Sequence, residues 1–235
     1  MPFKTGLTFT YDCGEFEKNM DMTLEMADYD GFEARRAESA KAGKFRGIGV
    51  SNTIERAAAA GIEAAEIRVD RGGSVTIMAG SCTQGQGHET VFKQIVCDKL
   101  GLRPEDVNYV WGDTDKVAFG HGTGGSRSAT LGGSAVTMAT DKVIEKARKI
   151  AAHQLEAADE DIIFDEGTFS VAGTDRTVQF TNIAKSASIP GSIPEDMEPG
   201  LNENATYTAT VMNYPNGCHV CEIEIDPDTG VVEIL

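Results

Sequence analysis

Two glycine-rich segments contain most of the residues whose types and spacing could do chemistry. The first, residues 80–90, has glycines at positions 80, 85 and 87 and the amide side chains of Gln84 and Gln86. Glycine lets backbone N–H groups approach an anion closely, and the N-terminus of a following helix adds roughly half a positive charge. Amide side chains both donate and accept hydrogen bonds, so they can bind the edge of a heterocycle that carries donors and acceptors. The segment therefore suits an anion attached to a heterocycle. An ordinary turn with exposed amides is the alternative.

The second segment, residues 112–128, supplies hydroxyls and a cation. Thr123, Ser126 and Ser128 carry the hydroxyls, and Arg127 carries a guanidinium that can pair with phosphate. The alternative is that Ser126 and Ser128 cap a helix and Arg127 is a surface charge. Two anion-binding segments in one small domain would indicate a ligand with more than one polar end.

For several isolated residues that could do chemistry we favour a structural role over a chemical one. His88 could act as a base, but at a helix start a positioning or capping role is the stronger prediction. Cys82 could be a reactive thiol, although a small packed side chain is favoured. Cys218 and Cys221 form a C-x-x-C pair, yet strand alternation explains them better than a zinc or redox site, which needs more ligands. The acidic residues 159–166 lack the order of a calcium loop and predict a solvated face.

Periodicity predicts the elements that position these segments. Apolar residues at spacings of three and four predict helices, and short Ile- and Val-rich runs predict strands. The predicted helices are two short ones within 12–42 that break near Asp30 and Gly31, one from 88 to 100 with Val91 on its buried face, and one within 126–157. The predicted strands are 47–52, 63–70 and 75–79, the last two forming a hairpin, then 107–111.

The last third of the chain is predicted to be more open. Residues 156–203 are acidic and hold three prolines, which favours a solvated surface connection with a strand or two. Residues 206–211 and 218–225, with the turn at 226–230, predict a second hairpin-like region, and 231–235 another strand. A sequence that stops inside a strand suggests truncation. We predict an α+β fold, a two-layer mixed sheet with packed helices, divided into residues 1–60, 61–158 and 159–235.

Composition excludes some classes of function. The formal net charge is −16, so binding to nucleic acid has no electrostatic basis. No apolar stretch approaches the ~20 residues of a transmembrane helix, and no secretory signal is visible. The 5 cysteines are odd in number and scattered, which favours a reducing, cytoplasmic compartment over a disulfide scaffold.

Taken together, these motifs resemble the large subunit of the molybdenum hydroxylases, the xanthine dehydrogenase and aldehyde oxidase family, and most closely its carbon monoxide dehydrogenase-like branch. The resemblance covers nearly the whole chain in family order. It rests on residues 84–90, 112–115, 122–123, 126–128 and 215–220, and also on 11–12, Tyr29, Phe32, 46–49 and 226–230.

The resemblance implies a fold of the molybdenum cofactor-binding type and a set of cofactor contacts. Gln84, Gly85, Gln86, Gly87 and His88 would hold the pterin. The residues that would wrap the pterin and diphosphate beside the metal are Thr123, Gly124, Gly125, Ser126, Arg127 and Ser128. Gly125 would bring its backbone near the oxo ligands of the metal. Gly124 stands where relatives often carry a larger side chain, commonly Tyr, so the substrate preference is expected to differ.

The resemblance also implies what lies elsewhere. The cofactor would be molybdopterin cytosine dinucleotide with molybdenum held by the pterin dithiolene, so no metal ligands from the protein are expected. The catalytic base, a Glu, is expected beyond the C-terminus, which leaves no catalytic residue within this chain. An FAD-binding medium subunit and a [2Fe-2S] small subunit would be partners, since this chain has no pattern for either cofactor.

The function expected from the resemblance is the dinucleotide-binding portion of an enzyme that oxidises aldehydes, N-heterocycles or carbon monoxide with oxygen from water. The portion would be incomplete and inactive alone, completed by the rest of the large subunit or by a complementary split chain. The alternative is a non-catalytic module that holds the cofactor.

Overall fold

The computed structural model describes residues 2–6, 9–58 and 61–235, which form two compact units. The first unit combines Met1–Ala57 with Asn213–Leu235, and the second is Ala58–Met212. The division predicted at residues 60 and 158 stays a prediction. None of the described helices has both the length and the apolar character needed to cross a membrane.

Strands and helices are interspersed along the described residues. The strands are β1 (Phe3–Lys4), β2 (Thr10–Tyr11), β3 (Phe45–Ile54), β4 (Ile62–Val69), β5 (Val75–Ala79), β6 (Val107–Val110), β7 (Ile162–Asp165), β8 (Thr168–Val171), β9 (Thr177–Gln179), β10 (Glu203–Thr208), β11 (Asn216–Ile225) and β12 (Val232–Ile234). The helices are α1 (Phe16–Met26), α2 (Phe32–Lys41), α3 (His88–Leu100), α4 (Gly133–Gln154) and α5 (Phe180–Ser186), with a π-helical turn at Ser128–Gly132 before α4. The predicted α+β fold is confirmed.

The first unit is an antiparallel sheet of order β12-β11-β3 with two helices. The predicted break between α1 and α2 is a 3-10 turn at Tyr29–Gly31. Glu222 and Glu224 of β11 ion-pair with basic residues of α2, of β3 and of the turn between them. Glu222 and Glu224 are therefore paired with basic groups of the same unit, whereas the alternation of the strand alone would predict that they point into solvent.

The second unit contains a mixed sheet of order β10-β4-β5-β6 and a smaller antiparallel sheet of order β7-β8-β9. The predicted hairpin of β4 and β5 is confirmed, with Ile67 opposite Ile77. Strands β5 and β6 are parallel, with Val75 opposite Val107, and α3 lies between them in sequence. Because parallel neighbours run in the same direction, the chain leaves both strands at the same edge of the sheet.

Helices α3 and α4 form the core of this unit with the sheet. Phe92, Val96 and Leu100 are fully buried on α3, whereas Val91, predicted on the same face, is 42% exposed. One position along a helix is a rotation of about 100°, which turns Val91 away from this stripe. On α4 the buried residues include Val143, Ile144, Ala147 and Ile150, which recur at the spacings of three and four expected for one helix face. Gly101, with a φ of +65°, ends α3 by donating its N–H to Cys97 O at 2.9 Å.

Two predictions for the last third were wrong. Residues 156–203 are more than a solvated connection, because Phe169 of β8, Phe180 of α5 and Leu201 are buried in the core of the second unit. Strand β10 does not pair with β11; it joins β4, with Ala205 opposite Ala65. The hairpin in this region is instead β11 and β12 across the turn at 226–230.

Candidate functional site

The two glycine-rich segments meet at the edge of the sheet where β5 and β6 end. The first loop, residues 80–87, follows β5 and leads into α3, and the second loop, residues 111–127, follows β6 and leads into the π-helical turn. The carboxyl ends of adjacent parallel strands are a common place for ligands in α/β sheets. The parallel register of β5 and β6 is thus the reason that Cys82 and Thr123, 41 positions apart, share one site.

Hydrogen bonds to one carbonyl join the two loops. The Thr123 hydroxyl donates to Cys82 O at 2.6 Å, and the Ser128 hydroxyl donates to Thr123 Oγ1 at 3.2 Å. Nδ1 of His88 lies 3.0 Å from the same Cys82 oxygen, and its ring stacks on Phe92 at 5.7 Å. The Cys82 carbonyl therefore ties the first loop to the second loop and to the start of α3.

A buried carboxylate lies behind the loops. Glu63 of β4 is 1% exposed, and its Oε2 is 3.3 Å from Arg127 Nη2 and accepts the His121 N–H at 3.4 Å. Arg127 also donates from Nη2 to Ile62 O at 2.6 Å. Glu63 Oε1 and Arg127 Nε are buried and have no hydrogen-bond partner among the residues that the structure describes.

The glycines of the loops fall into two kinds. A Cβ added to Gly80 would lie 2.4 Å from the Cα of Gly120 and 2.9 Å from Glu63 Oε1, so these two glycines allow the loop backbones to pass in contact. Gly85, Gly87 and Gly125 have φ values of +100°, +77° and +56°, and the described part of the chain places nothing within 4 Å of an added Cβ. Gly124 is equally open, with an unremarkable φ. The first kind holds the loops together, and the second kind leaves room for a ligand against the backbone.

The first loop is also supported from beneath. Tyr109 of β6 donates its hydroxyl to Ser81 O at 2.5 Å, and burial raises the pKa of this phenol, which keeps it a donor. A Cβ added to Gly132, in the π-helical turn, would lie 2.8 Å from Ser81 Oγ. The π-helical turn thus packs closely on the first loop, and such turns recur at functional sites.

Most residues predicted from the sequence line this junction. Gln84, Gly85 and Gln86 are exposed on the first loop, where the Gln84 N–H donates to Gln86 Oε1. Gly124, Gly125 and Ser126 are exposed on the second loop. His88, Ser128 and Arg127 instead pack into the protein. The Ser128 hydroxyl bonds to Thr123 rather than capping a helix, and the Arg127 side chain is only 17% exposed.

Other predictions concern residues away from the junction. Cys82 is half-buried with its thiol 3.7 Å from Gly80 O, in agreement with a packed side chain. Cys218 and Cys221 are three positions apart on β11, so they alternate to opposite faces of the strand. Within residues 2–6, 9–58 and 61–235, no three His, Cys, Asp or Glu side chains are grouped to hold a metal ion.

Sequence reasoning missed Glu63. On β4 this residue is in phase with Ala65 and Ile67, which are both buried, so the alternation of the strand places a charged side chain on the core face. That mismatch was the available signal. The carbonyl groups of Ser81 and Cys82 were also missed, because backbone acceptors leave no mark on a sequence.

Comparison with known proteins gives consistent matches. Residues 22–235 match the molybdopterin cofactor-binding domain family. The gamma subunit of the 6-hydroxypseudooxynicotine dehydrogenase complex of Paenarthrobacter nicotinovorans is 34% identical over 100% of this chain. The carbon monoxide dehydrogenase large chain of Afipia carboxidovorans is 34% identical over 99% of it. The chain spans 30% and 31% of the length of these two relatives.

Solved structures agree with the fold. A crystal structure of Cu,Mo-CO dehydrogenase in the carbon monoxide reduced state matches with a TM-score of 0.91 and 33% identity, covering 99% of this chain and 31% of that one. Quinoline 2-oxidoreductase from Pseudomonas putida 86 matches with a TM-score of 0.90 and 30% identity, over the same shares of the two chains.

Proposed function

This chain belongs to the molybdopterin cofactor-binding domain family, and we propose that it binds the cofactor across its two loops as one part of a molybdenum-containing hydroxylase. The observation that carries the proposal is the junction itself: the hydrogen bond from Thr123 to Cys82 O holds two open glycine loops side by side at the ends of parallel strands. A ligand with a polar heterocycle and a diphosphate needs two such adjoining surfaces.

The residues present fit such a group. The open glycines leave backbone N–H groups accessible, and the start of α3 adds the positive end of a helix dipole beside Gln84 and Gln86. Proposed pterin contacts are Gln84, Gly85, Gln86, Gly87 and His88. Proposed contacts around the pterin and diphosphate are Thr123, Gly124, Gly125, Ser126, Arg127 and Ser128. When bound, the group would supply oxidation of a substrate carbon with oxygen derived from water.

Within this group of residues the proposed roles differ. The exposed amides of Gln84 and Gln86 orient the heterocycle through its donors and acceptors. His88 is buried and acts by fixing the Cys82 carbonyl and the first turn of α3. Arg127 faces Glu63 and the Ile62 carbonyl, so its contribution to anion binding is mainly through the shape and charge of the second loop.

The finer properties of the whole protein are proposals as well. The relatives include a bacterial carbon monoxide dehydrogenase large chain and a nicotine 6-hydroxylase large subunit. From the resemblance to this branch, we propose the cytosine dinucleotide form of the cofactor, with FAD-binding and [2Fe-2S] subunits as electron acceptors in the cytoplasm. The substrate class is an aldehyde, an N-heterocycle or carbon monoxide. Gly124 leaves the second loop open where a larger side chain is common in the branch, so we propose a wider substrate space beside it.

The test is the cofactor content of the chain after co-expression with the cofactor pathway. Molybdenum, released pterin and cytidine nucleotide would be measured per chain, for the wild type and for Thr123→Val. The variant keeps the side-chain shape but loses the bond to Cys82 O, and we expect about fivefold weaker retention, since one hydrogen bond contributes about 1 kcal/mol.

A matched control is Thr174→Val in the turn between β8 and β9. Thr174 also donates to a backbone carbonyl, Val171 O at 2.9 Å, but belongs to no part of the junction. It should retain the cofactor like the wild type. A wild-type chain without molybdenum or pterin, despite active cofactor synthesis, would overturn the proposal.

A further inference from the structure

We propose that Glu63 is a positioning residue that sets the shape of the second loop and so of the cofactor surface, an inference that rests on the proposed function. One carboxylate contacts both ends of the loop segment 121–127. Its Oε2 accepts the N–H of His121 at the start and lies 3.3 Å from the Arg127 guanidinium at the end. The five residues between these anchors include the open Gly124 and Gly125, and also Thr123, which bonds to the first loop.

Stability alone gives no reason for a carboxylate at this place. Glu63 is 1% exposed, and Oε1 has no hydrogen-bond partner in the described ranges. Removing a charge pair from water is costly, and apolar residues of similar volume often serve a core equally well or better. The neighbouring inward positions of β4, Ala65 and Ile67, are apolar. We therefore attribute the charged group at this position to its contacts with His121 and Arg127 of the second loop.

The glycines beside Glu63 support this role. An added Cβ on Gly80 or Gly120 would lie 2.9 Å or 2.7 Å from Glu63 Oε1. Both loops therefore lack side chains where they pass the carboxylate, and Glu63 lies against both backbones at once. Its effect extends to the first loop through Gly80 as well as to the second through His121 and Arg127.

Arg127 completes the arrangement from the other side. Its Nη2 donates to Ile62 O, the carbonyl of the residue before Glu63, and its backbone N–H donates to Gly124 O at 3.3 Å. The following turn begins with Leu131 donating its N–H to Arg127 O at 2.7 Å. Loss of the carboxylate would release the guanidinium, then the Gly124 turn and the π-helical turn that packs on Ser81.

Amide hydrogen exchange of the cofactor-free chain tests this directly. Glu63→Gln keeps the size of the side chain but loses the charge. We expect the amides of His121, Arg127 and Leu131 to exchange about tenfold faster, while those of α3, such as the Val91 amide bonded to Gly87 O, keep their rates. Glu66→Gln is the control, because Glu66 lies on the same strand and pairs with Arg68 at the surface.

A double variant keeps the test informative if Glu63→Gln fails to fold. Glu63→Leu with Arg127→Met leaves no buried charge, so the unit should melt at the wild-type temperature or above. The amides of His121, Arg127 and Leu131 should nevertheless exchange faster than in the wild type. Wild-type exchange at these amides in either variant overturns the inference, and so does an equal rise throughout the second unit, which would indicate a purely structural residue.

Cofactor retention gives a separate result. If the wild type carries molybdopterin dinucleotide, Glu63→Gln should lose it faster on dialysis than Glu66→Gln does, and equal loss would overturn the inference while leaving the proposed function intact. If the wild type carries none, the proposed function fails, and the exchange rates still decide whether Glu63 shapes the loop.

Discussion

Each unit places a carboxylate on an inner strand beside arginine, but the two arrangements differ. In the first unit, Glu222 accepts hydrogen bonds from Nε and Nη2 of Arg35 at 3.1 and 3.0 Å and from Arg46 at 2.5 Å, so both oxygens are satisfied. In the second unit, Glu63 has one oxygen with no partner in the described chain and lies against glycine backbone. The ion pairs of Glu222 stabilise the first unit as partly solvated ion pairs ordinarily do, whereas Glu63 fixes the paths of two loops.

The difference predicts which region tolerates change. Side chains in the first unit can move, since Arg35 is 27% and Lys44 39% exposed. The neighbours of Glu63 include the loop backbone at Gly80, Gly120 and His121, which cannot move without moving a loop. Packed interiors resist added atoms strongly for this reason.

The largest effect is expected from Gly120→Ala. The new methyl would lie 2.3 Å from Gly80 Cα and 2.7 Å from Glu63 Oε1, so a loop must be displaced. We expect the free energy of unfolding to fall by about 3 kcal/mol, at the upper end of overpacking effects. Chemical denaturation followed by circular dichroism measures it.

Gly124→Ala is the matched control in the same loop. Its new methyl meets nothing within 4 Å among the described residues, and its φ is not left-handed, so the unfolding free energy should stay within about 0.5 kcal/mol of the wild type. Equal effects of the two alanines would remove the distinction between closed and open glycines.

A smaller effect is expected in the first unit from Glu222→Ala. The change leaves Arg35 and Arg46 without their shared carboxylate, but both guanidinium groups can reach water. We expect a loss of about 1 kcal/mol in unfolding free energy. Glu33→Ala is the control, since Glu33 pairs with Arg36 at the surface, at 77% and 58% exposure, and should change little. A loss as large as that from Gly120→Ala would make the two regions alike.

How far the sequence predicts each region follows from the range of the interactions. The β4 and β5 hairpin and α3 were predictable, because a turn at Gly72 and Gly73 and a Gly87 to Gly101 frame are local signals. The parallel pairing of β5 with β6 was not, since it depends on how α3, which connects the two strands, packs on the sheet. The partner of β10 was mistaken for the same reason: β4 lies far back in the chain.

The candidate site divides in the same way. Glycine spacing and hydroxyl residues identified both loops, but nothing local shows that Thr123 reaches Cys82 O or that Glu63 lies beneath them. The pair Gly80 and Gly120 gives the clearest case. Each is an unremarkable glycine in the sequence, and only the fold shows that they pass in contact.

The smallest effect is expected from acid acting on the ion pairs of the first unit. Hydrogen bonds from Arg35 lower the pKa of Glu222, and a hydrogen bond from Lys44 lowers that of Glu224, both from an ordinary value of 4.5. A carboxylate whose pKa is lower when folded stabilises the fold above its unfolded pKa and loses that contribution as the pH falls through its folded pKa.

Amides of β3 and β11 should therefore lose protection as the pH falls below about 4.5, and Glu224→Gln should reduce this dependence. Because both carboxylates are within reach of solvent, the change should be gradual. If Glu224→Gln left the acid dependence of these amides unaltered, the ion pairs of β11 would not be its source, and the contrast with Glu63 would rest on packing alone.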